Sequence, residues 1–245
     1  MLLLQHILCA FYLEPDLTNT EFLAGVMYPD AIRGFSVPRQ CSHFETTNND
    51  ISYFVYPKSM KTMQENIKEK DRYLANHKSC AIGDETTIEK FEELNEPLPK
   101  EMYHGIFTHL IQDNIFDKFV REEIDCSRKY EDKFMINGKE LNGKQIRKII
   151  EKIEQFGIYI LAYKLYLKYG ILVTQDWCHE HIYPIMQEEF PKELVKKTYP
   201  YIKIDENINK WIKENNWSHL NDGPVNKENI ENMYEEVYQK LTAKD

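Results

Sequence analysis

Apolar residues recur at three- and four-residue spacing along almost the whole of this chain, and that period admits one kind of regular structure. Side chains at i, i+3 and i+4 share one face of a helix, so each such stretch must bury a stripe against a neighbour. The pattern predicts helices over residues 2–13, 19–28, 59–77, 86–94, 101–124, 142–169, 176–189, 205–216 and 226–241. Thr18, Asn19 or Thr20 can cap the second of these, and Asn226 can cap the last. Only "ISYFVYP" (51–57) reads as an extended run, and "KFMINGKELNG" (133–143) is either a small hairpin about Asn137-Gly138 or a loop before a long helix. The expected fold class is therefore all-α: a multi-helix bundle with an additional C-terminal helical region.

A chain of 245 residues is long enough for a sizeable core and a cleft. Residues 28–58 interrupt the helical period with Pro29, Gly34, Pro38 and Pro57, and a connection of that length inside a domain is often functional. From about residue 191 the sequence turns rich in Lys, Glu, Asn and aromatics. The expected organisation is a main helical domain over 1–190 and a C-terminal helical extension over 191–245 packed on it.

Within this helical pattern, "GIFTHLIQDNIFDKF" (105–119) carries His109, Asp113 and Asp117 at four-residue steps. An imidazole and two carboxylates then line one stripe of a helix, with a rise of about 6 Å per step. Three further polar residues sit in apolar surroundings: His6 in "LLLQHILCAF", Asp30 in "FLAGVMYPDAI" and His43 in "CSHFE". Taken singly, each has an ordinary explanation, such as a hydrogen-bonded core histidine, a turn aspartate or an i, i+4 pair. Taken together, they are the residue types that hold a divalent cation, which compensates several buried carboxylates at once. Zinc accepts imidazole nitrogen and carboxylate oxygen at roughly 2.0–2.2 Å.

The totals exclude some partners. The formal net charge is −9 with no isolated Lys/Arg block, which argues against duplex nucleic acid. A small anionic substrate is still allowed, because a bound metal reverses the local sign. The five cysteines (9, 41, 80, 126 and 178) form no CxxC pair, so neither a disulfide framework nor a cysteine zinc site is indicated. The opening "MLLLQHILCAFYLEP" lacks a basic n-region and is too short to span a bilayer. It reads as the buried first helix of a cytoplasmic protein without a transmembrane segment.

"FLAGVMYPDAI", "SHF" and "GIFTHLIQDNIFDKF" together resemble the zinc-dependent phospholipase C family and its small intracellular relatives, over roughly residues 1–125. The resemblance implies an all-α bundle around a zinc cluster and a phosphodiester-hydrolase activity, with 1–190 as the metal-dependent domain. On this chain Asp30, His43, His109 and Asp113 would hold one ion, and Asp113 would bridge to a second that His6 helps to bind. In the full-length lipases a free N-terminal residue also contributes. Met1, five residues before His6 on a helix, is not expected to do so here. The lipases complete a further metal position with histidines soon after the HxxxD helix, and this chain has no histidine between 110 and 178. Asp117, or His179, Glu180 or His181 in "DWCHEHI", would have to substitute. One or two zinc ions are therefore expected, rather than three.

In such a site a metal lowers the pKa of bound water toward about 7 and stabilises charge on a phosphoryl oxygen. Two ions about 3.5–4 Å apart can clamp the attacking and leaving oxygens. Asp30, placed in a loop after Pro29, is the expected ligand and general base, and Arg33 and Arg39 are candidates to bind substrate phosphate bidentately. Tyr53, Phe54 and Tyr56 could line a pocket that stacks a base. The substrate would be a small soluble phosphodiester, such as a nucleotide or cyclic nucleotide, or a phospholipid headgroup. The chain lacks the basic amphipathic surface that favours anionic membranes. An HD-type phosphohydrolase is disfavoured because no His-Asp dipeptide occurs. The remaining alternative is a non-catalytic helical interaction protein that retains a decayed metal site.

Overall fold

The structure, a computed structural model, describes residues 1–13, 19–35, 42–43, 88, 91–92, 98–123, 134–136, 139–214 and 227–243. The extended run expected at 51–57, the helix expected at 59–77, most of that expected at 86–94, and Asn226 lie outside the described residues, as do Arg39 and Tyr53, Phe54 and Tyr56.

The described elements are overwhelmingly helical. They are α1 (Leu3–Leu13), α2 (Thr20–Ala31) with a 3-10 turn at Ile32–Phe35, α3 (Lys100–Glu123), α4 (Gly143–Tyr169), α5 (Gln175–Glu189), α6 (Lys192–Thr198), α7 (Ile208–Glu214) and α8 (Lys227–Thr242). The fold class is all-α. Among the described residues the one departure is a two-stranded hairpin in which β1 (Phe134–Ile136) pairs antiparallel with β2 (Lys139–Leu141), Phe134 opposite Leu141.

Side-chain caps fix where several helices begin. Asn19 accepts a hydrogen bond from the Phe22 N–H at 3.1 Å and starts α2. Asn142 and Gln145 form a reciprocal capping box at the start of α4, and Gly170, at φ 71°, ends that helix in the left-handed region. Thr174 Oγ1 accepts from the Trp177 N–H at 2.9 Å and starts α5. The spacing rule had ended the second helix at residue 28, before Pro29. The helix instead runs through Pro29 to Ala31. Proline near a helix end removes only one intrahelical bond, and packing on both sides of this turn holds it.

The core is one contiguous cluster that draws on every described helix, with Leu8, Phe11, Met27, Ile106, Phe116, Leu161, Met186 and Tyr234 among its buried members. Its closest crossing is between α2 and α3, where Gly25 and Gly105 meet. At the α2 start, Asn19 Nδ2 donates to Glu101 Oε2 at 2.8 Å, which anchors α2 to the beginning of α3. α1 packs on α4, where Gln5 donates to the Tyr234 hydroxyl of α8. The C-terminal helices are tied to this body: α8 packs on α3 and α4, and Thr198 Oγ1 of α6 donates to Ala31 O at the end of α2 at 3.2 Å. The short α6 lies where lysines obscured the helical period.

Candidate metal centre

The crossing of α2 over α3, with α1 alongside, brings five of the expected residues together in the interior. His6 comes from the middle of α1, Asp30 from the last turn of α2, His109 and Asp113 from successive turns of α3, and His43 from the described pair Ser42–His43. His6 and His109 are fully buried, His43 is 2% exposed and Asp113 4%. The expectation that Asp30 occupies a loop is corrected by its place on α2. It lies one helical turn beyond Val26, whose carbonyl anchors His109, and its Oδ1 stands beside His43 Nε2.

Ligand-type atoms face one another across short gaps. His43 Nε2 lies 3.1 Å from His109 Nε2, 3.6 Å from Asp30 Oδ1 and 3.4 Å from Asp113 Oδ2. His109 Nε2 lies 3.6 Å from Asp113 Oδ2. On the other side of the same carboxylate, Asp113 Oδ1 is 3.3 Å from His6 Nε2 and accepts a hydrogen bond from the Met1 ammonium at 2.7 Å. Two overlapping trios result, His6/His109/Asp113 and Asp30/His43/His109, each with its ligand atoms within 4.8 Å of one another. The rings of His6 and His109 stack with centroids 3.7 Å apart.

These spacings suit a cation. Four ligand atoms at 2.0–2.1 Å from a tetrahedral ion stand about 3.4 Å from each other, close to the 3.1–3.6 Å seen on the His43 side. Hydrogen bonding points the same way. His109 Nδ1 donates to Val26 O at 2.7 Å, and a carbonyl can only accept, so the ring proton sits on Nδ1 and the Nε2 lone pair is turned inward. His6 Nδ1 faces Gln112 Oε1 at 2.6 Å, and its Nε2 has no hydrogen-bond partner. Asp30 Oδ1 is likewise buried without one. The Met1 ammonium serves Asp113 Oδ1, whereas His6 Nε2 and Asp30 Oδ1 have no hydrogen-bond partner, and polar atoms left bare in the interior are costly unless positive charge sits among them. The buried His/Asp group could therefore coordinate a metal ion.

Protonation fits that role. Burial, reinforced by the neighbouring His109, pushes the His6 pKa down to about 4, so the ring is neutral near pH 7, as a ligand must be. For Asp30, burial works to raise the pKa. The imidazoles of His43, His109 and His6 outweigh it and hold the carboxyl well below its ordinary range.

The other expected residues fall elsewhere. Asp117 is buried one turn beyond Asp113 but belongs to neither trio. His179 and His181 are not brought to the centre. α5 turns Cys178, Ile182, Ile185 and Met186 inward, which leaves His179 exposed and stacked on Tyr183 and His181 stacked on Trp177. Arg33 Nη1 lies 3.6 Å from Asp30 Oδ1 with half its side chain in solvent, so it borders the centre. Arg39 is outside the described residues.

Two neighbours of the centre escaped the sequence reading. Met1 was not expected there, yet its ammonium meets Asp113 and stands 3.9 Å from Glu154 Oε1 of α4. Met1, Leu3 and Leu4 are all buried, which carries the terminus inward. The acid Glu154 follows buried Ile153 in a helix rich in surface charges, and no local pattern distinguishes it. A cavity of about 530 Å³ lined by Leu13, Phe22, Glu101, His104 and Phe107 uses the opposite face of α3 and touches no cluster residue. Among the described residues no helix is long and apolar enough to cross a membrane.

Comparison with protein-family models, with curated proteins and with solved structures gives no match.

Proposed function

We propose that the chain is a metal-dependent phosphodiester hydrolase of the zinc-dependent phospholipase C kind, acting on a small soluble phosphodiester or a phospholipid headgroup. The observation that carries this reading is the gathering of three imidazole Nε2 atoms and two carboxylates, from three helices and Ser42–His43, into two overlapping trios about Asp113 and His109. Asp30, His43, His109 and Asp113 Oδ2 would hold one zinc ion. Asp113 Oδ1 and His6 would contribute to a second.

When bound, the cation supplies Lewis acidity: it makes a water more acidic and offsets charge on a phosphoryl oxygen. The chain's own residues do the rest. His109 keeps its proton on Nδ1 against Val26 O, so its Nε2 is available to the ion. Asp30 Oδ1, buried without a hydrogen-bond partner, would ligate the ion and would be the carboxylate placed to take a proton from a water held there. Arg33, beside Asp30 and half in solvent, binds the substrate phosphate as it enters.

The test is metal content of the purified protein by plasma mass spectrometry, for wild type and Asp113→Ala together. One or two equivalents of zinc, absent from the variant, support the reading and direct a screen of nucleotide and lipid phosphodiesters. No metal in either protein overturns it. A second reading, a helical interaction protein with a decayed site, draws support from the distance of His179 and His181 from the cluster. It predicts protein that purifies without metal and binds added zinc only weakly.

A further inference from the structure

The three imidazoles of the cluster are each held at Nδ1 by an oxygen, and the holders differ in kind. His109 uses a main-chain carbonyl, Val26 O, which no side-chain change removes. His43 shares a 2.7 Å hydrogen bond with the hydroxyl of its sequence neighbour Ser42, which can donate or accept. His6 is held by a side chain from another helix: Gln112 Oε1 of α3, 2.6 Å away and 106 residues along the chain. Gln112 is fully buried on α3, between His109 and Asp113, and its Nε2 makes no hydrogen bond. A buried amide with one bare end is unfavourable in itself. The one bond this side chain makes among the described residues is the one to His6.

A primary amide presents both an acceptor and a donor, and here the acceptor meets the ring. An amide oxygen at Nδ1 can only accept, so a neutral ring keeps its proton there and leaves Nε2 as a lone pair. That lone pair looks at Asp113 Oδ1 from 3.3 Å. Without the Gln112 oxygen, His6 would gain most by moving its proton to Nε2 and donating to the carboxylate, which closes the ring to a cation. We propose that Gln112 is a positioning residue that fixes His6 in the Nδ1–H form and so completes the cation position on the His6 side of Asp113. The inference rests on the metal reading of this cluster and adds a division within it. The Asp30/His43/His109 side needs no help from Gln112, whereas the His6 side depends on it.

The experiment has two readouts. Long-range ¹H–¹⁵N spectra of the metal-free protein at pH 8 report which His6 nitrogen carries the proton. Wild type is expected to show Nδ1–H, Gln112→Leu to shift toward Nε2–H, and Gln112→Glu, which keeps an oxygen acceptor, to restore the wild-type pattern. A zinc titration against a chelator reads the second property. Gln112→Leu should weaken one zinc equivalent by about 10–100-fold, the usual effect of losing a ligand's hydrogen-bond partner, and leave the other unchanged. An Nε2–H wild-type His6 overturns the proposal before any variant is made. An unchanged tautomer in Gln112→Leu overturns it too, as does an equal loss of both equivalents. Wild type that binds no zinc overturns the metal reading and this inference together. Wild type that binds zinc while the variant behaves identically overturns this inference alone.

Discussion

Gly25 of α2 and Gly105 of α3 meet backbone to backbone. A Cβ on Gly25 would stand 2.9 Å from Gly105 Cα, and one on Gly105 would stand 2.8 Å from Gly25 Cα. Each added carbon would also strike a main-chain oxygen, Met102 O in one case and Phe22 O in the other. Backbone cannot swing aside as a side chain can. The two helices that carry Asp30, His109 and Asp113 are therefore held at a separation only glycine permits.

Gly25→Ala and Gly105→Ala should each destabilise the protein by about 1–3 kcal/mol, the usual range for overpacking, with the upper end favoured by the backbone contacts. Urea unfolding midpoints measure it. Zinc affinity should fall in the same variants, because spreading α2 from α3 separates Asp30 from the imidazoles. A midpoint that does not move would show that the crossing is looser than described.

His109→Ala and Asp113→Ala should lose bound zinc, and the loss should lower thermal stability, since ligand energy is also folding energy. His179→Ala and His181→Ala should retain the full metal content, because those rings are engaged with Tyr183, Tyr199 and Trp177. Four variants with one common metal content would remove the distinction drawn between the two groups.

The metal-free protein should become less stable as pH falls from about 6.5 to about 4. The folded His6 pKa, at about 4, lies below the unfolded value of 6.5, so the unfolded chain binds more protons throughout that window. Its contribution is present above 6.5 and lost on acidification, with a size on the order of 3 kcal/mol. The depressed Asp30 carboxyl acts in the same direction, at lower pH. Denaturant midpoints taken every half pH unit would test it, and His6→Asn should flatten the upper part of the curve.

Cys9 and Cys178 are buried, and burial pushes both thiols up to about 12. In a variant with Cys41, Cys80 and Cys126 replaced by serine, a thiol reagent at pH 8 should find nothing until denaturant is added, and then two groups. Rapid reaction of either thiol in the native state would contradict the packing of α1 and α5.

The helical character, and the stripe of His109 and Asp113, were readable because both follow from a local period. Asp30 is legible as a residue but not in its setting, because the helical period breaks at Pro29 although a proline in the last turn costs little. His6, His43 and Asp30 could be suspected from polar groups in apolar runs. Their meeting was expected only from the resemblance to the zinc-dependent phospholipase C family, since it depends on a helix crossing that no single stretch encodes. Gln112, Ser42 and Glu154 were invisible for a simpler reason. Glutamine, serine and glutamate are ordinary residues in such contexts, and what distinguishes these three is a partner brought in from elsewhere in the chain. The one available hint for Gln112 was its place on the same helix face as His109 and Asp113.

Met1 and Asp113 are 112 residues apart in sequence and bonded in space, and His6 and Gln112 are 106 apart. A cation shared by His6, His109 and Asp113 would close that span as a cross-link does, and closing a long loop takes the most conformational freedom from the unfolded chain. Unlike a disulfide, this clasp opens whenever the ion leaves. The grip of α1 on the rest of the molecule would then follow the free concentration of the metal, and the first helix would be the part to peel away when the ion is withdrawn.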